Sequence, residues 1–328
     1  MARLKFNEAL IETMGLLLER DPRVFVCGED VTKYGGVFKA TQGLCERFGP
    51  DRIFDTPICE AGFTGFAAGA AMMGMRPIVE IMFSDFLLFV MDAVCNEAAK
   101  FHYMSGGQIS VPMVVRTNIG IRGGAAGQHS NSFHGIMTHF PGLRIAVPST
   151  PADAKGLLWT AVEDEPNPTL FIENKQLYFI PGDVPDGEYR IPFGKANVRR
   201  RGKDVTIVAT SFMVSQSLVA AEELSREGIE ATVIDPRTLA PLDSATILES
   251  VAETGRVLVV DEGLYPAGFA QQLQAILSHE AFYSLLAPVQ VVTPPYCTIP
   301  YSPVLEKEVM IKADRIRRAA KELVTIEP

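Results

Sequence analysis

Apolar positions near the start of the chain fall at two different spacings. Residues 5–19 (KFNEALIETMGLLLE) carry them three and four apart, which predicts an amphipathic helix. Residues 24–27 form an unbroken apolar run that stops at Gly28, which is typical of a buried strand followed by a loop. Residues 61–74 predict a second helix, rich in small residues, so the chain opens with helix, strand and helix.

Two glycines of this second helix, Gly65 and Gly69, are four residues apart and therefore share one helix face. Because neither has a side chain, another backbone can approach this face closely. The pattern leaves two interpretations open, which are packing within the chain and contact with a second subunit.

Strands and helices then alternate, which is typical of a parallel sheet covered by helices on both faces. The first series comprises strand 77–83, helix 87–104, strand 113–117, strand 144–148, helix 152–162 and strand 169–173. The second series comprises strand 205–210, helix 213–227, strand 231–234, helix 244–253, strand 256–261, helix 268–278, strand 289–292 and a last helix that ends near Leu323.

Proline, glycine and charged residues break this rhythm over residues 178–203, which predicts a linker. A chain of 328 residues also exceeds one ordinary hydrophobic core. We therefore predict an α/β fold with two domains, residues 1–180 and 204–328, joined by a linker at residues 181–203.

The charge and composition narrow the choice of partners. A net charge of -9 argues against nucleic acid, because phosphate binding needs a basic face. The apolar run 86–91 is far shorter than the roughly 20 residues of a membrane span, and the N-terminus has no signal pattern. We expect no membrane segment and a location in the bacterial cytoplasm or, for a mature organellar chain, in the mitochondrial matrix or plastid.

Five cysteines without a CxxC pair predict neither a zinc site nor a disulfide framework.

Several common catalytic motifs are missing from the sequence. There is no G-x-G-x-x-G after a strand, no G-x-x-x-x-G-K-[ST], no G-x-S-x-G and no H-E-x-x-H. The GDG…N arrangement that holds magnesium and diphosphate in thiamine enzymes is missing as well. Dinucleotide, nucleotide-phosphate, serine-hydrolase and zinc-protease sites therefore have no support.

One carboxylate stands in a setting that suggests chemistry. Glu60 lies between apolar and small residues at the start of the second helix. A carboxyl in such surroundings holds its proton more readily and could act as a proton donor. The other interpretation is a carboxylate that serves only the dipole of the helix.

Two further segments lie at predicted strand ends. The glycine-rich loop 120–132 carries His129, either as a ligand-facing residue or as a surface histidine. His134 and His139 suggest no metal geometry, so we interpret them as structural. The aromatics of residues 83–86 either fill core or cover a planar cofactor ring.

Together and in this order, these places resemble the beta subunit of pyruvate dehydrogenase and its relatives. The resemblance spans essentially the whole chain. It is carried by the segments GEDVTKYGGVFKATQGL, DTPICEAGFTGFAAGAAMMGMRP, NEAAKFHYMSGGQ, GQHS, PGLRIAVPSTPADAKGLL, VIDPRTLAPLD and IPYSPVLEKEV.

The resemblance implies a transketolase-like pyrimidine-binding domain followed by a transketolase C-terminal domain. It also implies thiamine diphosphate as cofactor, bound between this chain and an alpha subunit in an α2β2 heterotetramer. The alpha subunit would hold magnesium and the diphosphate. A small 2-oxo acid would be the substrate, and a lipoyl-bearing dihydrolipoyl acyltransferase would receive the acyl group.

The resemblance also implies residue roles. Glu60 matches the glutamate that hydrogen-bonds N1′ of the aminopyrimidine, and Phe86 matches the aromatic that packs on that ring. Glu29 matches an acidic residue near the cofactor. His129 matches a histidine that is assigned to proton transfer during acyl transfer to lipoamide.

A potassium site of some relatives has counterparts here, although this chain has one extra residue within 165–167. The matching positions are Met113, Ala161, Asp164 and Asn167. Two other departures concern the glycine-rich loop: Asn131 replaces a common glutamine, and Arg122 replaces a small or apolar residue. A cation there could favour a carboxylate substrate or face the partner subunit.

Three other functions compete with a pyruvate-type dehydrogenase. Acetoin dehydrogenase has a beta subunit whose middle region is similar. A split transketolase would need basic residues for sugar phosphate, for which Arg122 is the one candidate. A structural subunit without catalysis would not need Glu60, Phe86 and His129 together.

Overall fold

The computed structural model describes residues 1–327 and divides the chain into two units. The first unit consists of residues 1–120 and 137–193, and the second consists of residues 121–136 together with the chain from residue 194 onward. The glycine-rich segment that contains His129 thus belongs to the second unit, although it follows a strand of the first.

The elements up to residue 193 alternate as the sequence predicts. The strands are β1 Ala2–Lys5, β2 Val24–Gly28, β3 Ile53–Asp55, β4 Arg76–Glu80, β5 Val114–Ile119, β6 Arg144–Ala146, β7 Thr169–Asn174 and β8 Pro181–Val184. The helices are α1 Phe6–Arg20, α2 Leu44–Phe48, α3 Glu60–Met72, α4 Leu87–Met91, α5 Ala99–Met104, α6 His134–Met137 and α7 Pro151–Glu163. A π-helical stretch, Asp92–Ala98, joins α4 to α5 where one continuous helix was predicted.

Helix α1 illustrates how local sequence sets these bounds. Glu8 accepts a hydrogen bond from the backbone N–H of Lys5 at 2.8 Å and so caps the first turn. Its apolar residues, spaced three and four apart, are buried, as the periodicity predicts. The helix ends at Arg20 because Asp21 precedes a proline and adopts an extended backbone.

Six strands of the first unit lie in one parallel sheet, in the order β6–β7–β5–β4–β2–β3. Every residue of β2, β5 and β7 is buried, which is typical of a sheet covered on both faces. The α/β class predicted from the alternation is confirmed. Strands β2 and β4, which are neighbours, are separated in the chain by β3 and α3.

A buried ionic cluster joins three strands of this sheet and consists of Glu80, Arg116, Glu173 and Tyr178. The Arg116 guanidinium donates to Glu173 at 2.6 and 3.0 Å and to Glu80 at 2.9 Å. The Tyr178 hydroxyl donates to the same Glu173 carboxylate. Burial raises the pKa of Glu80, and the charge of Arg116 opposes this shift.

The second unit has a five-stranded sheet, in the order β14–β13–β10–β11–β9, with β9 antiparallel to its neighbour. Its strands are β9 Asn197–Arg200, β10 Val205–Ala209, β11 Ala231–Asp235, β13 Val257–Val260 and β14 Gln290–Val292, and β12 Thr238–Ala240 follows β11. Its helices are α8 Phe212–Arg226, α9 Ser244–Thr254, α10 Phe269–Glu280, α11 Pro303–Val309 and α12 Ala313–Val324.

The region proposed as a linker, residues 181–203, contains two strands that the sequence pattern did not predict. β8 pairs with β1 in an antiparallel ribbon, and β9 pairs with β11 at the edge of the second sheet. Such edge positions tolerate the proline and glycine that made the region resemble a linker.

The buried ionic cluster generates a stability prediction. Arg116→Met keeps much of the side-chain volume but leaves Glu80 and Glu173 buried without a cation, which should cost about 3–5 kcal/mol. Urea denaturation followed by fluorescence of Trp159 measures this, because the single tryptophan of the chain is buried in α7 of the same unit.

The matched control is Arg47→Met. Arg47 pairs with Glu19 on the surface of the first unit, where both side chains are about half exposed. Its loss should therefore cost about 0–1 kcal/mol. Equal losses in the two variants would contradict the importance assigned to the buried cluster.

Candidate active site

Three of the predicted site residues lie at one edge of the first sheet. Glu29 directly follows β2, Glu60 comes five residues after β3, and Phe86 comes six residues after β4. Because these strands are parallel neighbours in the order β3–β2–β4, their carboxyl ends meet at the same edge. This is the edge at which open α/β sheets bind ligands.

Glu29 is a buried carboxylate with an unused acceptor. It is 8% exposed, and its Oε1 atom has no hydrogen-bond partner within residues 1–327. Burial raises the pKa of Glu29, and the nearby charges of Glu60 and Asp30 raise it further. A buried carboxyl oxygen without a partner is costly unless a ligand satisfies it.

The loop after β2 fixes the position of Glu29. Asp30 adopts a left-handed backbone with φ of 55°, and its carbonyl accepts a hydrogen bond from Gly36 at 2.9 Å. Asp55 at the end of β3 accepts from the backbone N–H of Thr32 at 2.9 Å and from the Thr32 hydroxyl. The loop is thus closed on itself and tied to the end of the neighbouring strand β3.

Close packing explains the glycine before Glu29. A Cβ atom at Gly28 would lie 2.7 Å from the carbonyl oxygen of Glu80 on the neighbouring strand. Any larger residue would push β2 and β4 apart at the edge that carries the site.

Glu60 is the first residue of α3 and is half-buried. The N–H groups of the first helical turn favour a carboxylate at this position, which is the setting that the helix-dipole interpretation requires. The proximity of Glu29 adds a second carboxyl, which a purely structural cap would not need.

Phe86 ends a short 3-10 turn, Ser84–Phe86, and belongs to a row of aromatic rings. Its centroid lies 5.8 Å from that of Phe83 in an edge-on arrangement and 6.3 Å from that of Phe89 in a tilted one. The ring is half-buried, and Phe89 is exposed. This row offers an apolar surface that could cover a planar group.

His129 lies in the second unit, whereas these three residues lie in the first. It is half-buried, and its backbone N–H donates to the carbonyl of Ala126 at 3.4 Å. Arg122, also half-buried, precedes it in the same segment.

The positions that match a potassium site lie elsewhere in the first unit. The Met113 carbonyl already accepts from Thr169 at 2.9 Å, and the Asp164 carboxylate pairs with Arg190 at 3.1 Å. Ala161 is buried in α7, whereas the buried Oδ1 atom of Asn167 has no hydrogen-bond partner among the described residues.

The sequence does not indicate the partner of His134. The structural interpretation of this histidine said nothing of its partner, Asp261, which lies 127 residues away and contacts it at 2.8 Å. Neither the local spacing nor the composition signals such a pair. The ties of Asp55 to Thr32 were missed for the same reason.

Other kinds of site are not found in the part of the chain that the structure describes. Within residues 1–327, no group of three or more His, Cys, Asp or Glu side chains is arranged to hold a metal ion. Over the same residues, no helix has both the length and the apolarity that crossing a membrane requires.

Comparison with solved structures gives the fold. A split gene transketolase, described as an inactive beta4 tetramer, superimposes with a TM-score of 0.79 at 23% identity, and each chain is covered over 100% of its length. The transketolase from Leishmania mexicana gives a TM-score of 0.73 at 16% identity, with 100% of this chain and 46% of the other covered.

Comparison with protein families and characterised sequences gives the relationship. The family models "Transketolase, pyrimidine binding domain" and "Transketolase, C-terminal domain" match residues 2–181 and 194–316. The acetoin:2,6-dichlorophenolindophenol oxidoreductase subunit beta of Cupriavidus necator is 45% identical, with 97% of this chain and 96% of the relative covered.

Two further relatives have other substrates in their names. The 2-oxoisovalerate dehydrogenase subunit beta of Bacillus subtilis is 44% identical, with 98% of this chain and 99% of the relative covered. The pyruvate dehydrogenase E1 component subunit beta of Rickettsia bellii is 44% identical, with 99% and 100% covered. The resemblance inferred from the sequence is confirmed, and the chain belongs to the family of 2-oxo acid dehydrogenase beta subunits, built from a transketolase pyrimidine-binding domain and a transketolase C-terminal domain.

Proposed function

We propose that this chain supplies the pyrimidine half of a thiamine-diphosphate site and that an alpha subunit supplies the other half. The complex would oxidatively decarboxylate pyruvate or a similar 2-oxo acid and transfer the acyl group to lipoamide. The observation that carries this proposal is the pair of carboxyls at the sheet edge, Glu60 at a helix start and Glu29 with an unsatisfied buried oxygen.

The residues present fit the aminopyrimidine end of the cofactor. Thiamine diphosphate, when bound, supplies the electron sink that decarboxylation of a 2-oxo acid needs. Glu60 would hold and share a proton at N1′ of the aminopyrimidine. Burial, and to a lesser extent the charge of Glu60, raises the pKa of Glu29, the second carboxyl at this end of the site. Phe86 would pack on the ring and exclude water.

The exposed face of α3 supports an alpha partner. Gly62, Gly65, Phe66 and Gly69 lie on this face and are exposed, with Phe66 at 56%. A Cβ atom at Gly65 or Gly69 would meet no atom of the described chain within 4 Å, so packing within the chain does not explain these glycines. A face of small residues around one exposed phenylalanine, next to Glu60, suits a tightly apposed subunit, and we infer an α2β2 heterotetramer.

The remaining parts of the proposal follow from the resemblance. Magnesium and the diphosphate are assigned to the alpha partner. Proton transfer during acylation of a lipoyl-bearing dihydrolipoyl acyltransferase is assigned to His129. Potassium is proposed at the 113, 161, 164 and 167 positions, where the unsatisfied Asn167 oxygen offers a ligand. The proposed location is the bacterial cytoplasm or the matrix of an organelle.

The second candidate is the beta subunit of an acetoin dehydrogenase. The 45% identity to the Cupriavidus necator subunit favours it as much as the 44% identity to the Rickettsia bellii subunit favours pyruvate. Both functions use the same carboxyl pair and differ in the substrate.

Replacing Glu60 tests the proposed chemistry. Glu60→Gln keeps the size and a hydrogen-bonding group but cannot share a proton in the same way, so turnover by the complex with its alpha partner should fall by about 10²–10⁴-fold. The measurement is reduction of an artificial electron acceptor with thiamine diphosphate, magnesium and the 2-oxo acid. Glu46→Gln, on the exposed helix α2, is the control and should keep full activity. Undiminished turnover by Glu60→Gln would show that the catalytic assignment is wrong.

Replacing Gly65 tests the proposed partner face. Gly65→Leu should leave the isolated chain as stable as before or slightly more so, because the site is open and leucine favours helix by roughly 0.5–1 kcal/mol over glycine. It should nevertheless prevent assembly with the alpha subunit, as measured by sedimentation of the mixture.

The control for this variant is Glu222→Leu, at an exposed position of α8 in the second unit, which should assemble normally. Normal assembly of Gly65→Leu would exclude this face as the subunit contact.

A further inference from the structure

Backbone contacts at the start of residues 121–136, here called the His129 segment, hold this segment against the rest of the second unit. The N–H of Gly124 donates to the buried Glu306 carboxylate at 3.0 Å. A Cβ atom at Gly127 would lie 2.4 Å from the Thr298 side chain, so the segment approaches this neighbour as closely as glycine allows. These contacts anchor the segment before His129.

A buried hydrogen bond anchors the segment after His129. The Nε2 atom of His134 lies 2.8 Å from Oδ1 of Asp261, and both side chains are 0% exposed. Asp261 directly follows β13, so its carboxylate sits at the carboxyl end of the second sheet. His129 therefore lies between two points at which the segment is fixed.

The Asp261 carboxylate is itself held by two other groups. The Thr210 hydroxyl, after the neighbouring strand β10, donates to Oδ1, and the backbone N–H of Gly263 donates to Oδ2 at 3.1 Å. A carboxylate with three donors keeps one rotamer, and the ring that it binds keeps one orientation. Close packing supports this, because a Cβ atom at Gly135 would lie 2.4 Å from the backbone nitrogen of Phe269.

The pKa values of His134 and Asp261 are shifted in opposite directions. Burial lowers the pKa of His134, but the charge and hydrogen bond of Asp261 outweigh this, so the net shift is upward. Burial raises the pKa of Asp261, and His134 with Thr210 and Gly263 turns the net shift downward. Glu262 adds a weaker attraction for the imidazolium. Each partner thus shifts the pKa of the other in the direction that favours its charged form.

We propose that His134 is a positioning residue that, through Asp261, fixes where His129 meets the lipoyl group during acyl transfer. The inference rests on the proposed function, in which His129 serves acyl transfer. A displacement of about 1 Å in a reacting group can cost roughly 100-fold in rate. An anchor five residues away on the same short segment is close enough to prevent such a displacement.

The test compares two reactions of the complex with its alpha partner. One is turnover of the 2-oxo acid with an artificial electron acceptor, and the other is acylation of a purified lipoyl domain. In His134→Ala, acylation should fall by roughly 10–100-fold while acceptor turnover falls far less. His134→Gln, whose Nε2 can still donate to Asp261, should restore acylation to within about threefold of wild type, because the hydrogen bond survives without the charge.

Two more variants keep the proposal falsifiable. Asp261→Asn weakens the same anchor without opening a cavity and should also lower acylation selectively, even if His134→Ala does not fold. Thr206→Val is the matched control, because Thr206 bonds Ser250 and Thr254 inside the second unit and does not touch the His129 segment. It should leave the ratio of the two rates unchanged.

The outcomes separate the inference from the proposed function. An unchanged ratio in His134→Ala or in Asp261→Asn, or an equal change in Thr206→Val, would overturn the positioning role and leave the proposed function standing. A wild-type complex that turns over no 2-oxo acid and acylates no lipoyl domain would overturn both.

Discussion

The guanidinium of Arg116 has no access to water, and this constraint organises the first unit. A buried cation needs anions around it, and Glu80 and Glu173 provide them from the two strands that flank β5. Burial raises the pKa of Glu80, and the Arg116 charge opposes that shift. Three neighbouring strands are therefore fixed to one another near their carboxyl ends, where the sheet must be rigid if it is to carry a site.

The cluster also reaches the loop that carries Glu29. A Cβ atom at Gly36, which has φ of 74°, would lie 2.6 Å from Oε1 of Glu80, so the loop packs directly on the buried ionic cluster. The ring of Phe38 stacks on Tyr178 with centroids 4.5 Å apart, and Tyr178 donates to Glu173. The loop that carries Glu29 thus packs against charged residues that lie outside the site itself.

Much of the fold could be predicted because the local spacing of apolar residues indicates its helices and strands. Helix α1 and strand β2 have the apolar spacing that their burial requires, and the alternation of elements fixes the α/β class. Edge strands such as β8 could not be predicted, because pairing with β1 is a contact between distant parts of the chain and its sequence has no alternating pattern. For the same reason, the sequence could not show that residues 121–136 belong to the second unit, because their contacts there are with distant parts of the chain.

The candidate site also combines residues that the sequence indicates with features that only the structure shows. Glu60 and Phe86 stand out locally, one as a lone carboxylate at a helix start and the other in an aromatic run, and the resemblance supplied their roles. The burial of Glu29 and its unsatisfied oxygen are visible only once β2, β3 and β4 lie side by side. A single sequence does not show which distant residues will be partners, as Asp261 is for His134.

The most direct test of the central claim is turnover by this chain alone, by its alpha partner alone and by the two together. Each sample receives thiamine diphosphate, magnesium and an artificial electron acceptor, with pyruvate, a branched-chain 2-oxo acid or acetoin. A divided active site predicts activity only in the mixture and on at least one of these substrates. Turnover by this chain alone, or a stable complex that is inactive on all three, would contradict it.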